Sequence, residues 1–120
     1  MKILTLISGG DVGGAKTHVL GLLSALMKQA QIVMVCFMEA EFTRDAREMG
    51  IDTRVIPGMN LLKTSRALRE LISEEGFDLI HSHGSRGNFM AWMLRDCGLP
   101  LLATVHSDPR LDYLGRPAAA

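Results

Sequence analysis

The sequence predicts an α/β fold, a doubly wound parallel sheet with helices on both faces, and three observations predict it. Short apolar runs alternate with longer amphipathic stretches along nearly the whole chain. Two of those runs, ILTLI and IVMVCF, are apolar almost without a break, as strands covered on both sides must be. Glycine or proline stands after most helical stretches, where a helix has to stop and a strand begin. Right-handed crossovers then favour the strand order 3-2-1-4-5.

Each element has its own justification. Ile3 to Ile7 is the first strand, and a helix from about Gly14 to Lys28 follows, with Val19, Leu20, Leu22, Leu23, Leu26 and Met27 as its apolar side. Ile32 to Phe37 is a second buried strand. Glu41 to Met49 reads as a helix stopped by Gly50, and Thr53 to Ile56 as a short third strand closed by Pro57 and Gly58. Asn60 is the predicted N-cap of a helix reaching Glu75, with Gly76 as its terminator. The fourth strand opens at Asp78 in DLIHSH, the fourth helix spans about Arg86 to Arg95, and Leu101 to Val105 is the fifth strand. Residues 1–117 read as one truncated domain, and 118–120, an alanine tail after proline, lie outside the fold reasoning.

Composition narrows the function. The 120 residues carry 13 lysines and arginines against 13 aspartates and glutamates, and this zero balance argues against nucleic acid as a partner. No run approaches the roughly 20 apolar residues that span a bilayer. The first strand starts at once with no leader before it, so a cytoplasmic protein is expected. Cys36 and Cys97 sit in apolar surroundings and read as buried free thiols. The eight methionines read mostly as core filler.

In an open α/β sheet, ligands bind beyond the carboxyl ends of the strands where the order reverses, here between strands one and four. Three loops meet there: SGGDVGGA, SHGSRGN and the stretch beginning HSD. The first resembles a phosphate loop, but GDVGGAKT has Ala15 where the second glycine of G-x-x-x-x-G-K-[ST] belongs. No register of Gly9, Gly10, Gly13 and Gly14 fits G-x-G-x-x-G either. What remains is a glycine loop opening a helix, which offers unpaired N–H groups and a dipole end to an anion. The bland reading, a tight turn with close helix packing, stays open beside it.

Four histidines complete the candidate set. His18 reads as packed or capping within the first helix. We read His81 and His83 as pointing to opposite faces of their strand, with His83, at its end, facing the crevice. His106 ends the fifth strand beside the switch point, where it can reach a ligand or only a neighbouring loop. Asp11, Ser85, Arg86 and Asn88 share that rim. No metal is assigned, because the histidine spacing is wrong for one ion and no acidic cluster adjoins. The third helix sets Leu61, Leu68, Leu71 and Ile72 on one side and Lys63, Arg66 and Arg69 on another. It reads first as an outer helix packing one face on the sheet, with an anionic membrane surface as the lesser alternative.

Three stretches together carry a resemblance: MKILTLISGGDVGGAKTHVLGLLSALMKQ, DLIHSHGSRGN and LPLLATVHSD. In order and spacing they resemble the N-terminal, Rossmann-like half of glycosyltransferase family 4 enzymes of GT-B fold. Lys16 departs mildly from the Glu or Gln common at that position. The resemblance implies a retaining sugar transfer from a nucleotide-diphosphate sugar without metal or other cofactor. Gly13 and Gly14 would hold the donor diphosphate and His106 would be catalytic. His83, Ser85, Arg86 and Asn88 would receive a sugar or lipid acceptor. It also implies a missing C-terminal domain, peripheral contact with the inner membrane surface, and no transfer by these residues alone. A P-loop-like NTP-binding module and a non-catalytic α/β interaction domain are the competing readings.

Overall fold

The computed structural model describes the chain over residues 1–10 and 13–104, and its side chains over the same residues except 13–15. The elements alternate strictly: β1 (Lys2–Ile7), α1 (Gly13–Leu26), β2 (Gln31–Cys36), α2 (Glu41–Glu48), β3 (Asp52–Val55), α3 (Leu61–Glu75), β4 (Leu79–His83), α4 (Gly84–Met93) and β5 (Leu101–Thr104). All five strands are parallel and the order is β3-β2-β1-β4-β5, as the crossover rule requires. Leu4 pairs with Val33 on one side and Ile80 on the other, so β1 is the centre of the sheet.

Period-2 alternation splits the apolar residues into two cores. Leu4, Leu6, Val33, Val35 and Ile80 pack under Leu68 and Leu71 of α3 and Met90, Ala91 and Leu94 of α4. Ile3, Ile7, Ile32, Met34 and Cys36 pack under Val19, Leu20 and Leu23 of α1 and Phe42 and Ala46 of α2. Because β1 and β2 are buried on both sides, their sequences could not alternate with polar residues.

The caps fall where the residue types put them. Asn60 Oδ1 accepts from the Lys63 N–H at 3.1 Å, and Gly76 terminates α3 with φ +70°. The fourth helix differs from its expected span. It begins at Gly84, two residues before Arg86, with no loop after β4. His83 is still extended, and Gly84 at φ +72° turns the chain directly into the helix. SHGSRGN is therefore a strand end and a helix start.

Three smaller expectations also change. Cys36 is buried but Cys97 only partly, and neither is in a disulfide. Met34 and Met90 fill the cores, whereas Met1, Met38, Met49 and Met59 are exposed. His18 is exposed on α1 and does not pack into the core.

A charged knot ties α3 to the sheet edge. The Glu75 carboxylate accepts from Lys2 Nζ at 3.2 Å and from both terminal nitrogens of Arg54, which also binds Asp52 at 3.0 Å. The Arg54 guanidinium, more than Lys2, holds the Glu75 carboxyl below its ordinary range. This contribution to stability is therefore complete above the unfolded glutamate value of about 4.3 and is lost as pH falls through the lowered folded value. Glu75→Gln should melt earlier than the parent near about pH 7 and converge with it near about pH 3, as thermal denaturation at the two pH values will read.

Candidate functional site

The site is built where β1 and β4 end side by side and the chain leaves them for opposite faces. Beyond β1, the Ser8 carbonyl accepts from the Phe37 N–H at 3.0 Å, and Gly9 turns with φ +92°. A Cβ on Gly9 would lie 2.8 Å from Cys36 Cβ and 2.9 Å from the Met38 carbonyl oxygen. That glycine is accounted for by the turn and by its packing on β2. Gly13 and Gly14 are different, since they are the first two residues of α1. The first-turn N–H groups of a helix have no partner within it and carry its positive dipole end. Here they follow the carboxyl end of the central strand. Asp11 lies outside the described residues.

Lys16, one turn on, is engaged with α2. Its ammonium sits 2.7 Å from Asp45 and 3.2 Å from Glu41, both on α2. The hydrogen bond to Asp45 first, and that to Glu41 second, raise its pKa above the ordinary lysine value. The lysine of a phosphate loop must be available to the β- and γ-phosphates, and this one is occupied by carboxylates.

His81 and His83 share a face, which corrects the expectation that they point apart. Ser82 alone stands between them, and alternate residues of a strand face the same way. Their ring centroids are 4.1 Å apart. Both lie on the α1 side, because Thr5 pairs with His81 and Leu79 packs among the residues under α1 and α2. His81 Nε2 is 2.8 Å from Thr104 Oγ1, tying the end of β5 to β4. Thr5 Oγ1, fully buried in the same row, has no hydrogen-bond partner among the described residues. His83 is buried to 0% exposure.

Ser82 faces the other way and donates to Asn88 Oδ1 at 2.6 Å. Ser85, Arg86 and Asn88 thus belong to the α4 side, and His83 to the α1 side, with the edge of the sheet between them. Ser85 and Arg86 line a cleft of about 460 Å³ whose apolar walls include Phe37, Leu61, Phe89 and Met90. Leu61, which the sequence sets on one side of α3 with Leu68, Leu71 and Ile72, lines this cleft half exposed, whereas Leu68 and Leu71 are buried. The cleft itself escaped the sequence reading; Phe89 and Trp92, aromatic residues three apart on one helix, were the available signal. His106 lies outside the described residues, two positions after Thr104. No group of three or more His, Cys, Asp or Glu among the described residues could hold a metal ion.

Solved structures share this architecture. HepE of Anabaena, in complex with UDP-glucose, superposes with a TM-score of 0.75 at 20% identity, covering 89% of this chain and 29% of that one. A glycosyltransferase from Rickettsia africae gives 0.71 at 13% identity, over 95% of this chain and 32% of its own. Sucrose-phosphate synthase of Thermosynechococcus elongatus gives 0.64 at 18% identity, over 94% of this chain and 35% of its own. The chain therefore spans about a third of the length of these proteins, and at such identities the likeness is one of fold. No curated protein matches the sequence. The family model described as "Glycosyl transferase 4-like domain" matches residues 13–120. With the glycine-opened helix, the switch-point site and nearly the whole chain accounted for, the protein belongs to the glycosyl transferase 4-like domain family.

Proposed function

We propose that this domain is the acceptor-side half of a retaining glycosyltransferase that moves a sugar from a nucleotide-diphosphate donor to a sugar or lipid-linked acceptor. The single observation that carries the reading is the start of α1 at Gly13, after the carboxyl end of β1 and beside the reversal of strand order. An anion placed there meets unpaired amides and a dipole, which stabilise the charge that grows on a departing diphosphate. The complex of HepE with UDP-glucose supports a nucleotide sugar as the ligand class.

In this reading Gly13 and Gly14 hold the diphosphate through the main chain, with no metal, and His106 acts on the transferred sugar. The acceptor enters by the cleft of Ser85 and Arg86, close to Asn88, and His83 backs the strand end from the other face. A second domain supplies the nucleotide-holding side chains, and the domain works in the cytoplasm at the periphery of a membrane.

The test is transfer from UDP-glucose and other nucleotide sugars by the complete transferase containing this domain, with the product's anomeric configuration read by NMR. Retained configuration, turnover undiminished by EDTA, loss of turnover in His106→Ala, and none from the 120 residues alone are expected. Inverted product would overturn the retaining assignment, and loss of activity in EDTA the metal-free one.

A further inference from the structure

We propose that the part of the acceptor held in the cleft of Ser85 and Arg86 is an apolar aglycone carrying an oxyanion, a phosphate or a carboxylate, and that Arg86 selects the charge. The assignment rests on the transferase reading for the role of acceptor, while the chemistry of the ligand comes from the cleft's own residues.

The first observation is the make-up of the walls. Phe37 and Met90 are buried, and Leu61 and Phe89 are half exposed, so four of the seven lining residues are large and apolar. Among the described residues that line it, only Ser85 and Arg86 carry polar side chains. Gly58 fixes the far wall: its N–H donates to the Phe37 carbonyl at 3.2 Å, and a Cβ there would lie 2.9 Å from Phe37 Cβ. The cleft is therefore formed before any ligand arrives, and about 460 Å³ admits a ring or a short chain. A pyranose bears hydroxyls around most of its ring, and each one buried against phenyl and methyl groups without a partner costs binding. One hydroxyl and one guanidinium cannot satisfy such a ring. An apolar body, in contrast, gains about fourfold in affinity for each CH2 it buries there.

The second observation is charge. Arg86 is exposed, and none of the ion pairs among the described residues includes it. Residues 53–69 and 79–95, which supply all the lining except Phe37, contain no aspartate or glutamate. Glu39, two positions after Phe37, is held by Arg47 at 2.6 Å. The other arginines near α4 are engaged, Arg69 with Asp96 and Arg95 over the Trp92 ring at 3.9 Å. Lys63 and Arg66 are exposed but line no part of the cleft. A guanidinium without a carboxylate, at the rim of an apolar cleft, presents a planar fork that fits a phosphate or carboxylate through two parallel hydrogen bonds. A neutral ligand leaves that charge unused, and a cationic one is repelled.

Calorimetric titration of the chain, with Trp92 fluorescence as a second reading, tests this with hexyl phosphate, hexanoate, hexanol and inorganic phosphate. Hexyl phosphate and hexanoate should each bind at least about tenfold tighter than hexanol. Hexyl phosphate should also bind at least about tenfold tighter than inorganic phosphate or butyl phosphate. Arg86→Gln, on an exposed position, should bring hexyl phosphate within about threefold of hexanol and leave hexanol itself unchanged. Phe89→Ala should weaken hexanol and hexyl phosphate alike, by about fivefold, with unchanged circular dichroism. No binding of hexyl phosphate, equal binding of hexanol or of inorganic phosphate, or a preference for charge that survives Arg86→Gln would overturn the proposal. Dihexanoyl phosphatidate, also offered as a monomer, reads the source of the oxyanion. Tighter binding than hexyl phosphate assigns a phospholipid, and equal or weaker binding a small soluble acid; either upholds the class. UDP-glucose titration of the complete transferase separates this idea from its parent. Loss of donor binding with hexyl phosphate binding intact would sink the transferase reading alone, and the reverse pattern would sink the cleft's ligand alone.

Discussion

Alanine in place of Gly87 should lower the melting temperature by roughly 12 °C, whereas the same replacement at Gly21 should raise it by roughly 3 °C. The two glycines sit in helices of one domain and differ in what a Cβ would meet. At Gly87 it would lie 2.5 Å from the Leu6 carbonyl oxygen and 3.1 Å from the Leu6 carbonyl carbon. Both are main-chain atoms of the central strand, pinned by hydrogen bonds to β2 and β4, so they cannot yield. α4 would have to lift instead, drawing Met90, Ala91 and Leu94 away from Leu4 and Leu6. Overpacking against such a rigid neighbour costs about 3 kcal/mol, a large part of a small domain's stability. At Gly21 nothing lies within 4 Å. There alanine adds only helix propensity and lowers the entropy of the unfolded chain, a gain of about 0.5–1 kcal/mol. Thermal unfolding by circular dichroism reads both variants, and equal signs would contradict the contact geometry.

These two glycines also show where the sequence was legible and where it was not. β1 and β2 could be read directly because a strand covered on both faces has to be apolar throughout, and ILTLI and IVMVCF are. The ends of α3 could be read because Asn60 and Gly76 act on groups within a few residues of themselves. Gly84 to Asn88 could not. Glycine is what a loop wants, but here Gly84 makes the turn and Gly87 allows a backbone approach that depends on a strand 80 positions away in the chain. Lys16 is similar: its partners are 25 and 29 residues distant, so local spacing made it resemble a phosphate-loop lysine. Residue type tells how apolar Met59 and Leu62 are, but only the fold tells that none of the described elements covers them. The shared face of His81 and His83, by contrast, was available from strand periodicity alone.

Gly14→Val and Lys16→Ala, two positions apart, should part company in the complete transferase. Valine at position 14 puts a branched side chain at the first turn of α1, where the proposed diphosphate would approach the N–H groups. The charge on that diphosphate is greatest as the glycosidic bond breaks, so the loss should appear in kcat more than in KM. Removing one well-placed donor to a developing oxyanion costs about 100-fold or more in kcat, and blocking two adjacent amides should cost no less. Lys16→Ala, in contrast, removes an ammonium that already faces Asp45 and Glu41, so nucleotide binding and turnover should change little. A nucleotide-binding loop of the ATPase kind demands the reverse ranking, since its lysine reaches the phosphates directly. Steady-state kinetics of the two variants, with circular dichroism to establish that α1 still forms, therefore decides between main-chain and side-chain recognition. If Lys16→Ala abolishes activity while Gly14→Val retains it, the phosphates are held by the lysine, and the start of α1 is a turn with no ligand of its own.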